Sequence, residues 1–435
     1  MTGSAPSQSW WEMFEDPQLN HFVDLGLVCN PDIKLAQARI DYAYQQALED
    51  RARLLPTFEL FGSYYRQKES AYDIGIPAFV PLVIGKNLYF NTAAALLRGS
   101  YEVDLWGKNR NRYYADLGML QAQIADKAQA RLTLAAAIVE TYFNLQNHLN
   151  QYEILVRQYE AKKMAYTLLY QRFYHGMDDE FFVYIFDKEA SDIQDNIEII
   201  KGIIESDRHA FAALVGNVAS CCNESGEICV ELSASYMKRV ELPTCLPIDL
   251  LARRPDVIAA LWVIQSKSYG IKVAKAQFFP NLDLSAFIGS TSFLVTKFFT
   301  YPALKLFGDA QSRLPLYTGG ALSANLGKAQ ADIEIAVERY NQTLLTAVKN
   351  VEDAMTSLKT ADNRMGKIKE AVKDSRDLYE LTNQKYQHGI DSNVRAMNAL
   401  SNLDSQLLLE SEIQLARMVA IVDVIRSIGG GYCGN

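Results

Sequence analysis

Two stretches of this chain turn from helix to strand at a proline, at the same place in two copies of one pattern. "NPDIKLAQARIDYAYQQALEDRARLLPTFELFGSY" begins at Asn30 and "RPDVIAALWVIQSKSYGIKVAKAQFFPNLDLSAFIG" at Arg254. Pro31-Asp32 aligns with Pro255-Asp256, Pro56 with Pro280 and Leu60 with Leu284, all at an offset of 224 residues and without a gap. A second match, "QRFYHGMDD" at Gln171 against "QKYQHGIDS" at Gln384, lies at an offset of 213. A period this long is not that of a solenoid, whose repeats are about 20–50 residues. Length alone would suggest about three domains, but the duplication divides the chain into two related halves.

Each half has the same grammar. Pro-Asp opens a helix, since proline suits the first helical position and an acid suits the positive end of the helix dipole. The helix stops before Pro56 or Pro280, because the residue ahead of a proline is pushed out of the α region. Alternating strands follow, "TFELFGSYY" from Thr57 and "LDLSAFIGS" from Leu282. After a loop come second strands, ending at Trp106 and Tyr317, and then glycines suited to strand-to-helix turns, Gly107 in one half and Gly319 and Gly320 in the other. The expected strand pairs are about 57–66 with 93–106, and 282–292 with 306–317.

The segments after these glycines read as very long helices. From Leu322 through Leu326, Ala329, Ile333 and Val337 on to Leu358, apolar or small residues recur with the 3.6-residue period of a helix. With no proline beyond Ala321, the pattern can run to about Gln387, and Lys108 to Tyr174 is similar. At 1.5 Å per residue each would be on the order of 100 Å long, which points to coiled-coil packing. Gly176 and Gly389, within "HG[MI]D", then allow the tight reversal at a helix tip that a positive φ requires. Returning helices are expected at roughly Phe181–Val215 and Asn393–Ile428.

Four alternating strands of about 9–12 residues suit a bilayer-spanning barrel. Four alone leave unpaired edges, which hydrocarbon does not tolerate, and are too few to close a useful bore. Three copies would supply twelve. A small soluble sheet capping a helical coiled coil is the other reading. The loops between the strands, "AYDIGIPAFVPLVIGKNLYFN" and "FLVTKFFTYPALK", are aromatic and apolar and favour the membrane.

Composition excludes several classes. Net charge is −8, and no long basic tract offers itself to nucleic acid. The longest stretch without a charged side chain, His209 to Asn223, is too short and polar for a transmembrane helix. The five histidines have no metal spacing such as HExxH, and no nucleophile elbow or phosphate loop is present, so no catalytic residue, cofactor site or metal site is assigned. His175 and His388, at equivalent repeat positions, read as exposed turn residues. Cys221, Cys222, Cys229 and Cys245 lack paired zinc spacing, and a local disulfide among them would need an oxidising compartment. The opening "MTGSAPSQSWWEMFEDPQL" shows neither the basic nor the apolar region of a signal peptide. A chain that stays inside and one whose export signal is missing from this version both fit that start.

The segments "SWWEMFEDPQL", "YEVDLWG", "LPIDLLARRPDVIAA", "AKAQFFPNLDLSAFIG", "LPLYTGG", "VEDAM" and "YQHGIDS" together resemble the TolC-like outer-membrane efflux factors, in particular their lipoprotein branch, over about residues 9 to 432. The resemblance implies a mixed α and β fold. In it a homotrimer shares one twelve-stranded barrel in outer-membrane lipid and continues into a periplasmic α-helical barrel. The organisation it implies is an equatorial segment at 1–29, a first repeat at 30–216, a second equatorial segment at 217–253, a second repeat at 254–428 and a tail at 429–435. It implies a passive exit channel serving an inner-membrane pump through a periplasmic adaptor protein. The alternative function is a coiled-coil scaffold or adaptor, soluble or periplasmic, that has lost membrane export.

Within that resemblance, Arg172 with Gly176 and Lys385 with Gly389 are the adaptor-docking candidates at the helix tips. Tyr386, Asp391, Arg395 and Asn398 are the candidates for the periplasmic aperture. The family's acidic ring is absent at the positions six and nine after Gly389, which here hold Arg395 and Asn398. Asp391 and the run Asp178, Asp179, Glu180 could supply negative charge nearby. The lipid-bearing cysteine expected upstream of the Trp-Trp segment is not visible.

Overall fold

The computed structural model describes residues 9–69, 88–177, 179–216, 253–293 and 295–432. The expectations for the cysteines at 221–245, for the inter-repeat equatorial segment up to residue 252 and for Asp178 lie outside these residues. A short 3-10 turn, Trp10–Phe14, precedes α1 (Pro17–Cys29) and α2 (Pro31–Ala52). Strands β1 (Thr57–Glu69) and β2 (Leu88–Val103) come next, then α3 (Lys108–Tyr174) and α4 (Glu180–Val215). The second half runs α5 (Pro255–Ala276), β3 (Asn281–Ser292), β4 (Leu304–Arg313), α6 (Ala321–Gln387) and α7 (Asn393–Ser427). Among the described residues no helix is long and apolar enough to cross a membrane.

Two compact units cut across the duplication. One comprises Met1–Arg39, Gln123–Ala260 and Tyr340–Asn435; the other comprises Ile40–Ala122 and Leu261–Arg339. The first is helical, and its core gathers around the N-terminus. Trp10, Trp11 and Phe14 are buried, and Phe14 meets Phe143 edge-on at 4.9 Å. Phe22 of α1 meets Phe211 of α4 in the same way. Asp16 caps α1 by accepting from the Gln18 and Leu19 amides, while Pro17 fills the first helical position. The other carboxylate oxygen of Asp16 accepts from the fully buried Tyr142 hydroxyl at 2.9 Å. Gly216 ends α4 at φ 72°, with the Asn30 backbone so near that a Cβ would lie 2.8 Å from Asn30 Cα. Asn30 in turn donates to the Leu214 carbonyl and accepts from the Asp32 amide, which fixes the start of α2.

On α6, Ala347, Ala354 and Ala361 are buried at seven-residue spacing, followed by Met365, Ile368 and Val372 at spacings of three and four. This is the narrow seam of coiled-coil packing, and its alanines let neighbouring backbones approach closely.

The second unit holds the sheet. Its four strands are all antiparallel, in the order β1-β2-β3-β4, and β2 pairs with β3 across the two repeats. Strand ends depart from the expected ones, and the causes are local. Strand β2 starts at Leu88 and stops at Val103 instead of Trp106, because Asp104 turns to cap α3, accepting from the Asn109 and Arg110 amides. Strand β4 runs from Leu304 to Arg313 rather than to Tyr317. Pro315, lying just beyond its end, has no amide to give a ladder. Strand β1 extends to Glu69, beyond the expected 66.

Candidate functional site

Pairing register sorts the sheet into two faces, because successive side chains point to opposite sides. One cross-strand row is Leu60–Leu97–Ile288–Leu306, apolar throughout and exposed at 80, 46, 46 and 76%. The next row on that face, Phe58–Gly99–Ala286–Gly308, is apolar too. The opposite face is the more polar one, although its row Phe61–Leu96–Gly289–Lys305 is largely apolar. Thr57, Ser100, Ser285 and Asp309 form one row, and Thr57 and Ser100 share a hydroxyl hydrogen bond of 2.8 Å. Glu59, Arg98, Phe287 and Phe307 form the row beside it. One more apolar and one more polar face is the pattern of a sheet with lipid on one side and water on the other. Strands β1 and β4 each have one edge with no strand beside it among the described residues.

The helix-to-strand and strand-to-helix turns meet within this unit. Trp106 Nε1 donates to the Pro280 carbonyl at 2.8 Å, and the indole stacks on Phe279 with ring centres 4.6 Å apart. Two segments singled out in the sequence, "YEVDLWG" and "QFFP", are therefore held together across 174 residues. Gly107 follows at φ 75°, and Gly319 and Gly320 open α6 at φ 61° and 87°. Pro56 lies between α2 and β1 as its counterpart lies between α5 and β3.

In the same unit, Asp116 of α3 shares a hydrogen bond with Asp50 of α2. Asp50 is buried and pairs with Arg53 at 2.7 Å, with Arg112 at 4.0 Å. Burial, and then the neighbouring Asp50 carboxylate, raise the Asp116 pKa from 3.8 to about 6.

The two helix tips, in the helical unit, share one construction. At the end of α3, Gly176 N–H donates to the Phe173 carbonyl and Met177 N–H to the Arg172 carbonyl; at the end of α6, Gly389 N–H donates to Tyr386 and Ile390 N–H to Lys385. Both glycines have φ 71°. These are paired Schellman closures, in which Arg172 and Lys385 supply equivalent backbone carbonyls. Returning helices are capped by Asp179, accepting from the Phe181 amide, and by Ser392, accepting from the Arg395 amide. Arg172, Lys385 and Tyr386 are exposed.

Past the second tip, Arg395 and Asn398 sit one turn apart on the exposed side of α7. Arg395 pairs with Asp391 at 3.1 Å. The Ser392 amide and then this guanidinium hold the Asp391 carboxyl below its usual range. Two aperture candidates thus neutralise each other. Asn398 accepts from Lys162 Nζ at 3.3 Å, and the same ammonium pairs with Glu189 at 2.7 Å and lies over the Phe186 ring. Lys162 is buried, and sequence reasoning missed it. Its partners are 27 and 236 residues away, and no local spacing marks them. Asp404, also missed, is fully buried and accepts from Arg157 Nε at 3.1 Å.

The profile of the family described as "Outer membrane efflux protein" matches residues 23–181 and 246–430, most of the chain. The chain belongs to the outer membrane efflux protein family. It is 28% identical over 434 residues to the multidrug resistance outer membrane protein MdtP of Escherichia coli K12, covering 98% of this chain and 87% of that one. It is 24% identical over 429 residues to the toluene efflux pump outer membrane protein TtgC of Pseudomonas putida, covering 99% and 86%. The solved CmeC outer membrane channel of Campylobacter jejuni superposes with a TM-score of 0.91 at 26% identity, over 99% of this chain and 89% of that one. The fold is thus the mixed α and β fold of the trimeric outer-membrane channels, as the resemblance implied. The chain is an outer-membrane protein with a periplasmic extension, which the reading of the strands as a soluble cap does not accommodate.

Proposed function

We propose that this protein is a passive exit duct: a homotrimer whose twelve strands close one barrel, and which passes small molecules delivered by an inner-membrane pump through a periplasmic adaptor. The carrying observation is the sheet. It has a fully apolar row on one face, polar rows on the other and, among the described residues, an edge with no strand beside it at each side. In hydrocarbon, unpaired edge amides and carbonyls each cost several kcal/mol (roughly, by transfer of an unpaired amide), so β1 of one copy must meet β4 of the next. The family's efflux role, and the names of MdtP and TtgC, support small-molecule efflux. The exposed Schellman tips with Arg172, Gly176, Lys385 and Gly389 suit adaptor docking. Tyr386, Asp391, Arg395 and Asn398 are the side chains assigned to the aperture. No residue is given a catalytic role.

The test is fractionation of cells expressing the full native reading frame, followed by purification from outer membranes. Heat-modifiable trimers that form conducting pores in planar bilayers are the expected result. Monomer confined to the cytosol, or trimers that never conduct, would overturn the reading.

A further inference from the structure

On the more polar face of the sheet, two adjacent rows carry aromatic rings: Phe61–Leu96–Gly289–Lys305 and the one beside it. Glu59–Arg98–Phe287–Phe307 crosses all four strands in register, with an ion pair at one end (Arg98 to Glu59, 3.6 Å) and two stacked rings at the other. Phe287 and Phe307 lie 5.1 Å apart at 22°. They share the face of Asp283, Ser285, Asp309 and Gln311, the polar side assigned above to water, and Phe307 is 45% exposed there. Lipid contact does not explain them, and among the described residues the ring stacked on each is the other. Aromatic side chains facing water on the inner wall of a barrel offer π-faces to whatever passes. One such face already holds a cation: Lys305 Nζ, one row further along, lies 5.4 Å from the Phe287 centroid.

We propose that this row is a contact ring for aromatic organic cations in transit. The inference rests on the channel reading above. In a closed trimer, three copies of the row would place six phenylalanines and three Arg98–Glu59 pairs at one level of the lumen. A planar cation can stack on the rings and bring its charge to the face that Lys305 occupies. The Glu59 carboxylate adds attraction, as do Asp309 and Asp283, one and two rows nearer the helices. Arg98 and Lys305 keep the row from being purely acidic, so a small inorganic cation gains little there, and the preference is for a delocalised charge carried on a ring system.

Ethidium block of single pores in planar bilayers tests the ring, with anilinonaphthalene sulfonate as the aromatic anion. Wild-type pores should be blocked by ethidium and more weakly by the anion. In Phe287→Leu/Phe307→Leu, which keeps apolar bulk but removes the π-faces, the half-blocking ethidium concentration should rise about tenfold. Lys305→Gln, at an exposed position, vacates the Phe287 face and should lower it. Conducting wild-type pores that ethidium does not block overturn the ring alone. Equal block in wild type and the Leu pair, or stronger block by the anion, does the same. A preparation that never conducts overturns the ring and the channel reading together.

Discussion

At single residues, two hydrogen-bonded groups make opposite demands. The Tyr142 hydroxyl serves Asp16, which caps α1 at the centre of the helical core. Removing that hydroxyl leaves a buried carboxylate oxygen short of a donor. Tyr142→Phe should therefore cost about 1–3 kcal/mol, read as a lower midpoint in denaturant titration of the detergent-solubilised protein. An unchanged midpoint would mean that Asp16 finds another donor at no cost. Asp116 acts the other way. Its pKa is raised to about 6 by burial and by Asp50, against 3.8 for the unperturbed group. The folded state thus binds a proton that the unfolded state has released between these values. Its stabilising contribution is full below about pH 4 and is lost as pH rises through 6. Asp116→Asn keeps a donor to Asp50 without the charge, with Arg53, Arg112 and Glu49 as the other charged neighbours. The variant's melting temperature should gain on wild type between pH 5 and 7 and not below pH 4. A difference that stays constant with pH would rule out the shared proton.

Among the elements, what could be read in sequence was what is local. Proline breaks at Pro56 and Pro280 and the 3.6-residue stripe leading to Gln387 need only neighbouring residues to be legible. Strand ends were less so: β2 stops at Val103 because Asp104 is drawn off to cap a helix, a competition that alternation does not reveal. Register was not legible either. Without it Glu59, Arg98, Phe287 and Phe307 are four unrelated positions, and the aromatic row stays hidden. Gly289 is a register-dependent residue of this kind. A Cβ there would lie 2.0 Å from the Ala95 carbonyl oxygen and 2.7 Å from Leu96 Cα, backbone atoms of the paired strand. Gly289→Ala must push β2 and β3 apart at the seam that joins the repeats, and should sharply reduce the yield of heat-modifiable trimers. Gly308→Ala, where nothing lies within 4 Å, is the matched control and should assemble as wild type does. Equal yields would mean that the seam tolerates the shift. At the tips, Gly389→Ala forces an alanine to φ 71°, a cost of roughly 1–2 kcal/mol. It should speed proteolysis at the α6–α7 turn, and an unchanged cleavage rate would show that the turn bears the strain.

For the whole molecule, duplication explains why one chain carries two strand pairs and two tips. Both close with the same hydrogen bonds, and the second turn sets Arg395 beside Asp391. At the proposed aperture, Arg395 and Asp391 together form a neutral pair. Arg395→Asp replaces a neutral pair by two carboxylates, and threefold symmetry would repeat the change three times around the axis. Cation preference and block by hexamminecobalt should rise. Because the Debye length is about 10 Å at 0.1 M salt and about 3 Å at 1 M, the effect should shrink steeply as salt is raised. Asn398→Asp should do less, since its new carboxylate lies within reach of the Lys162 ammonium, which it would share with Glu189. Wild-type conductance and block in Arg395→Asp at low salt would remove this side chain from the aperture. An Asn398→Asp effect larger than that of Arg395→Asp would place the constriction at the Lys162 tie.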